Sequence, residues 1–229
     1  MKFFEITLNS FELILSFDSL LYNIIFLSLK VSLSALIISS TMAIFLGYFL
    51  ALKNFYLKTS IIVTLNAFMG IPPVVVGLIV YFLLAREGVF GVFEILYTPY
   101  AMIIAQSIII FPIVASLSYE IFFQNWNRFR DHFRSFNIPL IAILLIIFRH
   151  SYFLLITVLL SAFGRAISEV GAVMIIGGNI ENYTRVMTTA ISLQTRMGNL
   201  DYAMALGIVL ILLTIFINAF VYIINLNKR

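Results

Sequence analysis

The chain has 229 residues, 62% of them hydrophobic and only 10% charged, with a mean hydropathy of +1.10 and a formal net charge of +4. That balance excludes a soluble domain, which could not cover its own surface with polar groups. The absence of cysteine excludes disulfides, thiolate metal sites and cysteine nucleophiles, and no basic tract points to nucleic acid.

The apolar runs exceed the roughly 20 residues that cross a bilayer as a helix, and they lack the alternation of a membrane β-barrel. The expected class is an all-α polytopic membrane protein with about five transmembrane helices. Residues 1–20 hold Phe3, Phe4, Leu8, Phe11, Leu15 and Phe17 between Glu5, Glu12 and Asp18. The acids argue against a signal peptide. The segment reads either as an amphipathic helix on the membrane surface or as a frayed terminus.

The first span is predicted over 22–52, with Lys30 either snorkelling to the interface or facing a wet interior. A short basic loop, Lys53 to Lys58, follows. The second span, 60–85, is interrupted by Gly70-Ile71-Pro72-Pro73. Two prolines remove backbone donors, so this is either a packing kink or a break lining a pathway. The third span runs over 99–119, with Pro99 at its start and Pro112 as a kink.

Residues 120–139 form the one strongly polar segment, with Arg128, Arg130, Asp131, His132 and Arg134 beside Phe129, Phe133 and Phe136. The spacing predicts a short amphipathic helix too polar to span. Residues 140–148 read as an interfacial piece ahead of Arg149 and His150, and the fourth span as 151–176. The alternative, a span over 140–163, buries both polar side chains. Residues 179–201 read as a polar loop, and the last span as 202–225.

Five spans sort Lys53, Lys58, Arg128, Arg130, Arg134, Arg149, Lys228 and Arg229 to one side. The other side receives most of the acids. The charge rule places the basic side in the cytoplasm and the N-terminus outside. There is no internal repeat of a two-halved transporter.

Within the fourth span, Arg165 and Glu169 lie four residues apart in apolar surroundings. A charge at the bilayer centre costs about 2.5–3.5 kcal/mol on insertion scales. At helical spacing, Ser161, Gly164, Arg165, Ser168, Glu169 and Gly171 share one face. The glycines read as close helix contacts, and the charges as a mutual ion pair that could also wall a polar path. Gly177, Gly178 and Asn179 break the helix, and Thr184, Arg185, Thr188 and Thr189 beyond them offer donors suited to an oxyanion. Phosphate-cradling, zinc-protease and nucleophile-elbow motifs are absent from the sequence. No residue is read as catalytic or as a metal ligand. An intramembrane enzyme using Arg165 and Glu169 and a secondary transporter remain as other function classes.

Gly164-Arg165-Ala166-Ile167-Ser168-Glu169-Val170-Gly171-Ala172, Gly177-Gly178-Asn179-Ile180, Tyr183-Thr184-Arg185-Val186-Met187-Thr188-Thr189 and Pro72-Pro73-Val74-Val75-Val76-Gly77 together resemble the permease subunits of type I ABC importers for oxyanions, tungstate permeases above all. Molybdate and sulfate permeases are similar around the fourth span, where they carry Gly-Glu-Phe-Gly in place of Ser168-Glu169-Val170-Gly171. The resemblance implies one permease domain over 1–229, set in a bacterial inner membrane. It implies a homodimer in contact with lipid, two separate ATPase chains, and a periplasmic or lipid-anchored oxyanion-binding protein. It implies no cofactor in this chain and a pathway along Pro72, Pro73 and the fourth-span residues. It further implies a cytoplasmic coupling helix in which Asp131 stands for the signature Glu and Asn137 for the signature Gly, flanked by Phe133 and Phe136. His132 and Phe133 occupy two positions that the signature fills with Ala.

Overall fold

The structure is a computed structural model and describes residues 2–136 and 138–226. Among these residues it is entirely helical. The helices are α1 (Lys2–Leu15), α2 (Ser19–Leu52), α3 (Lys58–Met69), α4 (Pro73–Leu84), α5 (Pro99–Ser135), α6 (Leu140–Ile167), α7 (Gly171–Gly177), α8 (Met187–Met197) and α9 (Leu200–Leu226). Four of them are long and apolar enough to cross a membrane, and α3 with α4 supply a fifth crossing if the bent pair is one span.

The centre of the fold is the pairing of α2 with α5. Small residues at helical spacing make the contact face of α2, with Ser28, Ser32, Ala35, Ser39, Ala43, Gly47 and Ala51 all buried. A Cβ added at Gly47 would lie 2.8 Å from the Tyr119 amide nitrogen and 2.9 Å from the Ala115 carbonyl oxygen. The backbones therefore meet directly, as apolar solvent requires of tightly packed spans. Asp18, which accepts the Leu21 amide at 2.8 Å, starts α2. Lys30 is exposed on the surface of the chain.

α1 is a helix rather than a frayed end, and it packs along α9. Ser10 is fully buried there and donates to the Asp201 carbonyl at 2.8 Å.

The Gly70–Pro73 interruption is more than a kink. The axis turns by 104° between α3 and α4. Pro73 occupies the first turn of α4, where a missing N–H costs nothing.

Three expectations are corrected. Residues 120–135 do not form a separate amphipathic helix. They continue α5, whose 37 residues extend about 55 Å, well past a hydrocarbon core of about 30 Å. Residues 140–148 are not a separate piece. α6 runs unbroken through Arg149 and His150, so the alternative span has the right start. Both polar residues are exposed, and the His150 ring meets the Phe129 ring edge-on at 5.0 Å. Finally, residues 179–201 are not all loop, because α8 lies within them.

Lys53, Lys58, Arg128, Arg130 and Arg149 thus gather at one end of the bundle, called here the basic end. The helix breaks around 168–186 gather at the other.

Candidate functional site

α6 ends at Ile167, and α7 does not begin until Gly171. The predicted fourth span over 151–176 is therefore two helices with a break at Ser168-Glu169-Val170. The single helical face drawn through Ser161, Gly164, Arg165, Ser168, Glu169 and Gly171 is corrected accordingly: it holds as far as Ser168. There Ser161 and Ser168 are exposed and Gly164 and Arg165 half-buried, while Ala162, Phe163, Ala166 and Ile167 pack inward. Beyond Ser168 the backbone turns.

Glu169 is 5% exposed and sits in that turn. Its Oε2 accepts from Arg165 Nη1 at 3.1 Å, and its Oε1 accepts from the Ala172 amide at 3.2 Å in the first turn of α7. One carboxylate therefore neutralises a cation on α6 and caps α7, where a negative charge meets unsatisfied N–H groups. The Glu169 carbonyl accepts from the Thr188 hydroxyl of α8 at 2.8 Å. The Ala166 carbonyl, which takes the Glu169 amide at 3.2 Å in the closing turn of α6, also accepts from Gln106 Nε2 of α5 at 3.0 Å. Gln106 is buried, and its Oε1 has no partner in the described structure. The break is thus held by groups from α5, α7 and α8.

Arg165 retains 40% exposure of its side chain. Among the described residues it is the only charged one lining a cavity of about 390 Å³ between α3, α4 and α5, whose other walls include Pro72, Val75, Ile79, Ile109 and Pro112. Of the predicted pathway residues, Pro72 and Arg165 thus meet at one cavity, whereas Ser161, Gly164, Ser168, Glu169 and Gly171 are not among its lining residues, and Pro73 stands beside Pro72 as the first residue of α4. A second cavity of about 660 Å³, lined by Ile38, Thr64, Phe68, Ile108 and Pro112 among others, adjoins it.

The glycines separate into two kinds. A Cβ at Gly77 would lie 2.7 Å from the Ala172 Cα, and one at Gly171 would collide with Val74. These two mark the close contact of α4 with α7. Gly164, by contrast, has nothing within 4 Å of its would-be Cβ, so it makes no close helix contact within the chain.

Toward the far end, Gly178 closes α7 in the left-handed conformation at φ +68°, against the Tyr97 ring. Asn179 follows at φ +53°. Thr184 is buried, and its hydroxyl donates to the Gly177 carbonyl at 2.5 Å and accepts from the Ile180 amide at 2.9 Å. Thr189 accepts from the Val186 amide at 3.1 Å. Together with Thr188 bound to Glu169, these hydroxyls are committed to backbone partners and are not offered outward. Arg185 pairs with Glu181 at 3.2 Å.

The amide of Met187, which opens α8, donates to Ser28 Oγ at 2.7 Å in a buried contact with α2. Ser28→Ala orphans that N–H, which costs about 1–2 kcal/mol. We expect a lower melting temperature in detergent with unchanged expression. An unshifted melting curve would show that water reaches the amide.

At the basic end, Asp131 is exposed and forms a loose contact with Arg130 at 3.6 Å. Phe133 is buried against Trp126 and Phe129, whereas Phe136 is 75% exposed. Asn137 lies outside the described residues. These groups stand far along α5 from the Arg165 cavity, so the structure does not bring the two sets of predicted residues together.

Gln106 and Thr188 are the ties that the sequence hid. Gln106 is an amide inside an apolar helix, and nothing local indicates its partner 60 residues away. The ionisable residues at the break are Arg165 and Glu169, and among the described residues no cluster of three or more potential ligands could hold a metal.

Residues 43–228 match the family described as "Binding-protein-dependent transport system inner membrane component". The chain is 41% identical over 211 residues to the tungstate uptake system permease protein TupB of Peptoclostridium acidaminophilum, covering 92% of each chain. It is 37% identical over 204 residues to a probable anion ABC transporter permease protein of Haloferax volcanii, covering 87% of this chain and 88% of that one. It is also 39% identical over 168 residues to the tungstate uptake system permease protein TupB of Campylobacter jejuni, covering 72% and 69%.

Proposed function

Because the chain belongs to the family of binding-protein-dependent transport system inner membrane components, we propose that it is the permease that carries tungstate in an oxyanion importer. The family makes it a multi-pass transport subunit of the inner membrane rather than an enzyme. It also implies an ATPase and a binding protein as partners in general terms.

The observation that carries the cargo reading is Arg165. It is a cation held by a buried carboxylate at a helix break, and it is the charged wall of an otherwise apolar cavity. Such a group can meet a tetrahedral anion in passage without binding it tightly, because Glu169 already neutralises it. The near full-length likeness to tungstate permeases supports tungstate over molybdate and sulfate.

The partner reading rests on exposed surface. Val74, Val75, Leu78, Ile79 and Phe82 of α4 are all exposed beside the Arg165 cavity. A second copy of the chain covering that face would make a homodimer with the pathway between the two α4–α6 walls. The basic end then faces the cytoplasm. There two ATPase chains grip the end of α5 around Asp131, Phe133 and Phe136, and a binding protein docks at the other end. The whole chain acts as one permease domain.

The test is reconstitution with the ATPase and binding protein in proteoliposomes. We expect ATP-dependent tungstate uptake that excess sulfate does not compete away. Sulfate uptake equal to tungstate uptake would overturn the assignment.

Asp131→Arg tests the coupling reading. The side chain is exposed, so stability should not change. ATPase stimulation by loaded binding protein and uptake should both fall at least tenfold. Normal uptake in that variant would remove Asp131 from the docking surface.

A further inference from the structure

A third cavity, of about 500 Å³, lies at the basic end between the start of α3 and the far part of α5. Its chemistry differs from that of the two cavities near Arg165. Lys58 and Arg130 line it from two different helices, with Asn54, Thr59, Trp126 and Asn127 between them. No acidic residue is among its lining residues.

Lys58 is aimed rather than loose. Its Nζ donates to Asn54 Oδ1 at 3.2 Å and lies over the rings of Phe123 and Tyr119, 5.2 Å and 5.8 Å from their centroids. Ring faces hold an ammonium in place without neutralising it. Among the described residues no carboxylate pairs with Lys58, and Arg130 has only the loose contact with Asp131.

The depth is also defined. Trp126 stands 27 residues beyond Pro99 on one continuous helix, about 40 Å along its axis. Counted from a span that starts at Pro99, that distance exceeds a hydrocarbon core of about 30 Å and reaches the headgroup layer. Amphipathic aromatics settle at this level, and basic pockets there attract anionic headgroups.

The geometry points to an anion-binding pocket between α3 and α5 that takes a tetrahedral oxyanion group, supplied either by the phosphodiester of an anionic lipid or by a free oxyanion. Lys58 and Arg130 provide the charge. The Asn54 and Asn127 amides and the Thr59 hydroxyl are the hydrogen-bond donors at the rim. The inference does not depend on which cargo the importer carries.

Trp126 is the only tryptophan in the chain and lines the pocket, so its fluorescence reports occupancy. The full chain is placed in phosphatidylcholine nanodiscs, and acyl-brominated phosphatidylglycerol or acyl-brominated phosphatidylcholine is added as quencher. For a lipid source we expect Trp126 to select phosphatidylglycerol by roughly fivefold, the effect of about one cation at a membrane surface. The preference should fall in high salt and in Lys58→Gln. It should survive in Lys58→Arg, and in Lys53→Gln, which alters a neighbouring cation outside the pocket. For a free source, the two quenchers act equally, and inorganic phosphate or tungstate shifts Trp126 emission in the parent chain but not in Lys58→Gln. Equal quenching with no response to either free anion overturns the inference. So does a preference or shift that survives intact in the correctly folded Lys58→Gln/Arg130→Gln double variant.

Discussion

Glu169→Ala is expected to reduce ATP-driven uptake to background and to lower the melting temperature of the chain by several degrees. Three losses coincide in that one substitution. Arg165 loses its only described ion-pair partner, the Ala172 amide at the start of α7 loses its acceptor, and the turn between α6 and α7 loses the side chain that fills it. Breaking a buried pair from one side costs about 3–5 kcal/mol. The lower end, about 3 kcal/mol, applies here because Arg165 is 40% exposed and recovers some hydration. Glu169→Gln separates the effects. Its amide oxygen can still accept one hydrogen bond, so much of the stability should return while the charge on Arg165 stays uncompensated. We expect Glu169→Gln to fold well and transport poorly. Parent-like uptake and melting in Glu169→Ala would show that the pair contributes to neither.

Gly77→Leu is expected to lower the melting temperature and uptake strongly. Its Cβ alone would lie 2.7 Å from the Ala172 Cα and 3.1 Å from the Ala172 Cβ, and a whole side chain must go somewhere. The obstacle is backbone, which cannot rotate aside. Overpacking of this kind costs about 3 kcal/mol or separates the two elements. Separation of α4 from α7 would carry Val74 away from Gly171 and open the wall of the Arg165 cavity. The measurement is melting temperature and uptake beside Gly207→Ala, whose Cβ has nothing within 4 Å and should change neither. If Gly77→Leu behaved like that control, the α4–α7 contact would not be tight in the membrane.

The apolar runs made the helices legible, but not where they end. Arg149 and His150 looked like a boundary because polar side chains rarely sit in a span. In the structure they are exposed on a helix of 28 residues, about 42 Å long and so longer than a hydrocarbon core of about 30 Å. A polar pair interrupts a hydropathy profile without interrupting a helix. The same reasoning explains why α5 continues to Ser135.

The converse failure occurred at Ser168–Val170. That stretch contains no proline and no glycine, and the adjoining Gly171 reads in the sequence as a close helix contact rather than as a break. Gln106 and Thr188 hold it from a distance, and such bonds belong to the fold rather than to the segment, while Glu169 adds a local cap to the Ala172 amide. The Arg165–Glu169 pair was legible because both charges were conspicuous in apolar surroundings. The threonines were legible as polar residues but not as internal ties, since a hydroxyl facing water and one facing a carbonyl read alike in a sequence.

The length of α5 has a mechanical meaning. It touches the α6–α7 break through Gln106 near one end and carries Asp131 near the other, on a single helix about 55 Å long. A helix is stiff, so it acts as a lever. A tilt of about 5° pivoting at one end displaces the other by about 5 Å, roughly one helical turn. The rod has one compliant point. Pro112 leaves the Ile108 carbonyl without its helical donor, and both residues line the cavities beside Arg165. Torque applied at the basic end would therefore be relieved first where the cavities meet.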